Sequence, residues 1–172
     1  MYLILIQEEC TLAIALIRID DRLIHGQITT KWISHANANR IMIASDRVVN
    51  DKVRKSVVEL TAPKNIKTEV VTVADAIEKL TGPLAGDSTR VFVITTGPDE
   101  VLALKEGGVK FEHFVIGNMG AMGKTDQATK VTKSVMLTDE DRADFKRLQE
   151  LGVKCEIRVV PQDRPTDITR YL

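Results

Sequence analysis

Apolar positions along the chain fall in short runs of strand length, separated by stretches with helical spacing. Leu12 to Ile17 is apolar at almost every position, the pattern of a strand covered on both faces. Ile41–Ala44, Glu69–Val73, Val91–Thr95 and Phe114–Gly117 repeat the theme, followed by Ser134–Leu137 and Val153–Val160. Between them, Ile24, Ile28 and Trp32 are spaced by four and share one helix face. A second helix is predicted from about Asn50 to Pro63, and Thr72 with Asp75 forms a capping pair for a helix through Leu80. Pro98, Asp99 and Glu100 suit a first helical turn, with Gly107-Gly108 as its stop. Thr138 and Asp141 cap a helix whose face carries Phe145, Leu148 and Leu151 before Gly152. The tail from Gln162 is polar and is expected to dock as a short helix.

This alternation predicts an α/β fold: a single domain with an open, mostly parallel sheet and helices on both faces. No repeat, low-complexity tract or linker divides it, so residues 11–172 form one domain and residues 1–10 precede it as an extension without an assigned role. Ligands of such sheets bind beyond the carboxyl ends of the strands. The segments that matter are therefore the turns Arg18–Gly26, Ser45–Asn50, Thr95–Asp99 and Gly117–Thr125.

Composition narrows the function. Among 172 residues, 24 Lys and Arg balance 24 Asp and Glu, and aromatics make up 4%, which argues against a dedicated nucleic-acid binder. The balance is uneven: residues 18–55 carry eight cationic against four acidic side chains. Cys10 and Cys155 stand too far apart to suggest a disulfide framework or a metal spacing. Gln7, Glu8 and Glu9 interrupt the apolar N-terminus and no Lys or Arg precedes Arg18, so neither a leader nor a membrane span is predicted and a cytosolic protein is expected.

The first turn holds the chemistry. Two arginines, two aspartates and a histidine follow the first strand directly and open the first helix. A neutral imidazole, here His25, is a competent nucleophile. Arg22, three residues earlier, offers a fork for phosphate oxygens, and the backbone amides at Gly26 and Gln27 open a helix N-terminus suited to an anion. Asp20 or Asp21 can orient the imidazole or the arginine. Ser45 and Asp46, at the end of the second strand, are candidates to face His25. The same residue types also make ordinary helix caps and solvated ion pairs, so the spacing alone leaves both readings open. Elsewhere Gly117-Asn-Met-Gly-Ala-Met-Gly-Lys-Thr125 invites a nucleotide- or phosphometabolite-binding reading, but the first glycine of a P-loop would fall on Asn118. Gly117, Asn118 and Met119 are instead read as supports of a phosphate at His25. His35 and His113 have no metal-ligand spacing, and no Gly-x-Ser-x-Gly elbow exists.

The run Arg18-Ile-Asp-Asp-Arg-Leu-Ile-His25-Gly-Gln, with Trp32 beyond it, resembles the signature of enzyme IIB components of the phosphoenolpyruvate-dependent sugar phosphotransferase system, mannose/fructose/sorbose family. Asn50-Asp-Lys-Val-Arg-Lys55, Gly117-Asn-Met119 and Gly152-Val-Lys-Cys-Glu-Ile-Arg158 stand in family order. The resemblance implies that His25 is phosphorylated by a IIA component and hands the phosphoryl group to a sugar bound in membrane IIC/IID components. It implies that Arg22 and Asp20 belong to the phosphate-binding turn and that no cofactor or metal takes part. It assigns no oligomeric state, and a homodimer is compatible with it. Two departures are the extra residues 1–10 and Asn118, where mannose- and sorbose-type members commonly carry glycine.

Overall fold

The apolar runs become the strands of one sheet. The computed structural model describes residues 14–82, 88–120 and 127–172. Residues 1–10, the first two positions of the Leu12 run and the Ala121–Thr125 part of the glycine-rich loop lie outside them. In chain order the strands are β1 (Ile14–Asp20), β2 (Arg40–Ala44), β3 (Lys67–Val71), β4 (Val91–Thr95), β5 (His113–Asn118), β6 (Thr129–Lys130), β7 (Met136–Leu137), β8 (Lys154–Ile157) and β9 (Thr166–Asp167). The helices are α1 (Ile33–Ala36), α2 (Asp46–Val49), α3 (Lys52–Thr61), α4 (Val73–Thr81), α5 (Pro98–Glu106) and α6 (Asp139–Glu150). A π-helical turn, Ile28–Trp32, leads into α1, and a 3-10 turn, Ile168–Tyr171, ends the chain.

The main sheet has the order β3-β2-β4-β1-β5-β8-β9, parallel except for β9. β1 is central, with β4 on one side and β5 on the other, so its carboxyl end opens between two parallel neighbours. Side chains alternate along strands, and each sheet face buries its own layer. On one face Ile17, Ile19, Val93 and Ile116 pack with Leu80, Leu104, Phe145 and Leu148 from α4, α5 and α6. On the other, Ile41, Ile43, Phe92, Ile94 and Val115 pack with Ile28, Trp32, Val48 and Val58. Arg18 and Asp20 of β1 point to this second face, and both are fully buried.

The elements differ from the sequence reading at several places; Ile24, for one, lies in the bend ahead of the helix rather than on a helix face with Ile28 and Trp32. β1 runs to Asp20, so Arg18 and Asp20 belong to the strand and not to the turn. The predicted Asn50–Pro63 helix begins at Lys52, because Asp51 is extended and accepts from Arg54 N at 3.0 Å as its cap; the preceding turn forms α2. The Ser134–Leu137 run does not join the sheet: β7 pairs antiparallel with β6. The last long run stops at Ile157, where the carbonyls of Arg158 and Val159 turn toward β1. The tail docks as expected, through buried Ile168.

Capping fixes where helices start. Thr72 accepts from Asp75 N at 3.0 Å. At α6 the exchange is reciprocal: Thr138 Oγ1 accepts from Asp141 N at 3.1 Å, and Asp141 Oδ2 accepts from Thr138 N at 2.8 Å. Both residues are buried, so water does not replace a lost partner. Thr138→Ala is expected to lower the unfolding free energy by about 1–2 kcal/mol, read as a lower urea midpoint with an unchanged slope.

Candidate functional site

The turn after β1 is assembled around one carboxylate. Asp20 Oδ2 accepts from Arg18 Nε at 3.2 Å and Nη2 at 3.0 Å, and the same oxygen lies 3.0 Å from His25 Nε2. Asp20 Oδ1 accepts from the backbone N–H of Arg22 at 3.3 Å, with Arg22 Nε 3.6 Å away. The chain closes tightly enough for this because Leu23 N donates to Asp20 O at 3.0 Å and Leu23 takes a left-handed conformation, φ 59°. A buried leucine there is strained and stays only because its side chain is anchored in the second apolar layer. His25 is thereby brought back over the end of the strand, with its side chain 18% exposed.

Arg22 reaches across the imidazole. Its Nη2 lies 3.4 Å from His25 Nε2 and donates to Gln27 Oε1 at 3.1 Å, and its side chain is partly open to solvent. Asn118, opposite Asp20 in the β1–β5 register, turns its amide oxygen to the guanidinium, accepting from Arg22 Nη2 and, at 3.2 Å, from Nε. Gly26 is exposed, and its carbonyl accepts from Thr30 Oγ1 at 2.6 Å.

Beneath the turn, Arg18 sits in the apolar layer. Its Nη1 donates to Arg158 O at 2.9 Å and its Nη2 to Val159 O at 3.2 Å, and its guanidinium lies 4.6 Å from the Trp32 ring centre. Trp32 Nε1 donates to Val159 O at 2.9 Å, so both residues hold the segment after β8. Gly117 makes room: a Cβ there would lie 1.7 Å from Arg18 Nη2.

Burial acts to raise the Asp20 pKa, but His25, Arg18 and Arg22 outweigh it and hold the carboxyl below its ordinary range. Burial wins at Arg18, whose pKa falls despite Asp20. Burial also wins at Glu100, which is pushed up although Ser45, Thr96 and Arg47 all favour its charge.

Of the residues singled out from sequence, the structure joins Asp20, Arg22, His25, Gln27, Gly117 and Asn118 into one connected group. Ser45 goes elsewhere. It is buried, caps α2, and donates from Oγ to Glu100 Oε1 at 2.6 Å. Asp46 is exposed, and its Oδ2 accepts from Val73 N at 3.4 Å. Met119 is a core residue whose backbone bonds Ser134 O and Met136 N at 2.9 Å each, which ties down the β6–β7 hairpin. Sequence reasoning missed the roles of Arg18 and Trp32 beneath the turn. The available signal was a charged residue at an inward position of a strand. Arg54 also escaped it: its Nη2 donates to Asp21 O at 2.8 Å, tying α3 to the turn. Among the described residues no group of three or more His, Cys, Asp and Glu could hold a metal, and no helix is long and apolar enough to cross a membrane.

Fold and site together describe an α/β domain that gathers a histidine, an aspartate and two arginines at the end of its central strand. The chain belongs to the IIB components of the phosphotransferase system (PTS): residues 14–172 match the family described as PTS system sorbose subfamily IIB component. It is a phosphotransferase. It is 41% identical over 155 residues to the PTS system sorbose-specific EIIB component of Lacticaseibacillus casei, covering 90% of this chain and 92% of that one. It is 35% identical over 159 residues to the PTS system fructose-specific EIIB component of Bacillus subtilis (strain 168), covering 92% and 95%. The crystal structure of the IIBSor domain of the sorbose permease from Klebsiella pneumoniae superposes with a TM-score of 0.83 at 38% identity, over 91% of this chain and 94% of that one.

The depressed Asp20 pKa has a definite stability sign. Its contribution is complete above the unfolded-state value, about 4, and is lost as pH falls through the lower folded-state value. Asp20→Asn strands a buried Arg18, so at neutral pH it is expected to cost about 3–5 kcal/mol. The gap to the unsubstituted protein should narrow on acidification, because only the latter loses the carboxylate's contribution. Urea unfolding at a series of pH values checks both the size and the narrowing.

Proposed function

We propose that His25 carries the phosphoryl group, taking it on Nδ1 from a phosphohistidine of a IIA component and passing it to a sugar held by membrane IIC/IID components. The observation that carries this reading is the 3.0 Å contact of His25 Nε2 with Asp20 Oδ2. An ionised carboxylate only accepts, so Nε2 holds the ring proton and Nδ1 keeps its lone pair. The nucleophile is then the ring nitrogen that Asp20 does not occupy.

The transfer balances without moving a proton. The Nδ1 lone pair forms the new N–P bond as the donor's N–P bond breaks, and that electron pair returns to the donor ring. The positive charge gained by the His25 ring faces Asp20 across the retained Nε2–H bond. In the onward transfer the sugar oxygen forms the new O–P bond as the His25 N–P bond breaks, that electron pair returns to Nδ1, and the hydroxyl proton passes to a base at the sugar site or to water. Phosphoryl transfer asks the protein mainly for positioning and charge stabilisation. Arg22 supplies positive charge beside the ring, and Gln27 and Asn118 hold its guanidinium there. The first-turn amides from Gly26 onward lack partners within their helix and suit the phosphoryl oxygens. The sorbose and fructose names of the relatives support a hexose as the acceptor. A site at the cytoplasmic face of the permease follows from the two partners.

Radiolabel from phosphoenolpyruvate, passed through the upstream carriers, tests the assignment. The unsubstituted protein should take an acid-labile label and His25→Ala none; label on His25→Ala would overturn the reading. Arg22→Gln should keep His25 as the labelled residue and lower the maximal rate about a hundredfold or more, the scale for losing one stabilising donor.

A further inference from the structure

We infer that Arg18, which never meets the phosphoryl group, is a positioning residue that selects the tautomer of His25 through Asp20. The inference rests on His25 being the phosphoryl carrier. Arg18 and His25 share a single atom, Asp20 Oδ2, at 3.0 Å from Arg18 Nη2 and 3.0 Å from His25 Nε2. A carboxylate turns freely about its terminal bond unless both of its oxygens are engaged. Here Arg18 approaches Oδ2 with two N–H groups, and the Arg22 backbone N–H takes Oδ1. The rotation is therefore fixed, and Oδ2 is aimed at the imidazole.

Arg18 is itself immobile. It is fully buried, bonded to the carbonyls of Arg158 and Val159, and laid over Trp32. A planar fork with five N–H donors meets all these acceptors at once, which an ammonium on a flexible stem does not. Arg22 does not duplicate the function. Its Nε stands 3.6 Å from the other oxygen and its side chain is partly solvent-exposed. Together the two arginines divide the work: Arg18 sets the direction of the carboxylate from below, and Arg22 meets the incoming charge from above.

The tautomer is the quantity to measure, since a residue that only stabilised the fold would leave it unchanged. Nitrogen NMR of His25 in the full chain distinguishes a ring protonated on Nε2 from one protonated on Nδ1. Rapid-mixing phosphorylation by phospho-IIA gives the maximal rate and the donor concentration at half-maximum. The unsubstituted protein is expected to show the Nε2–H form alone. Arg18→Met, neutral and of similar length, should show a mixed ring and a maximal rate lowered about ten- to a hundredfold, with the half-maximal donor concentration unchanged to within about twofold. Arg18→Lys restores the charge without the fork and should fall between the two. It also carries the test if the methionine variant does not fold. Trp32→Phe should cost stability and leave the ring signals as they were. A folded Arg18 variant with only the Nε2–H form and an unaltered maximal rate overturns the inference, as does a change confined to the half-maximal concentration. If His25 of the unsubstituted protein takes no label, it is the carrier assignment that fails instead.

Discussion

A buried Arg18–Asp20 pair on the central strand is the constraint from which the rest of the site follows. Two charges without solvent cost several kcal/mol each unless further hydrogen bonds and good geometry offset the loss. The fold supplies these from three distant places: the backbone after β8, the indole of Trp32 and the bare backbone of Gly117. The carboxylate that results is rigid, ionised and presented at the exact end of the strand where the chain must turn.

Two of the buried acids near the carboxyl edge of the sheet, Asp20 and Glu100, show by their contrast what decides ionisation. Both lose water. Asp20 meets two arginines and an imidazole and is held down. Glu100 meets the Ser45 hydroxyl, the Thr96 amide and hydroxyl, and Arg47, yet is pushed up. Neutral donors and a single cation shared with Asp99 do not repay the burial. Asp20 serves as a fixed negative charge, whereas Glu100 serves to brace the turns after β2 and β4.

Much of this architecture was legible because the governing interactions are local. Helix caps at Thr72 and Thr138 need only residues three positions apart, and β4 shows itself as an uninterrupted apolar run. The spacing of Asp20, Arg22 and His25 likewise lies within one turn of chain. What escaped depends on partners far away in sequence. β1 looks shorter than it is because Arg18 and Asp20 keep the strand's alternation while breaking its apolar pattern. β8 looks longer because nothing near Arg158 reveals that its carbonyl is claimed by a side chain 140 positions earlier. Ser45 ends a strand as a site residue might, but its hydroxyl is already taken by Glu100.

The space left by Gly117 reaches beyond this one molecule. Positions 18 and 117 touch across neighbouring strands, and any side chain at 117 would overlap the guanidinium. The two sites therefore cannot drift independently. A lineage that enlarges residue 117 must first shorten residue 18, and so gives up the clamp on the carboxylate before it gains anything in return. Epistasis of this kind fixes the order in which substitutions can accumulate, and a combinatorial library around the turn would sample it only by varying both positions together.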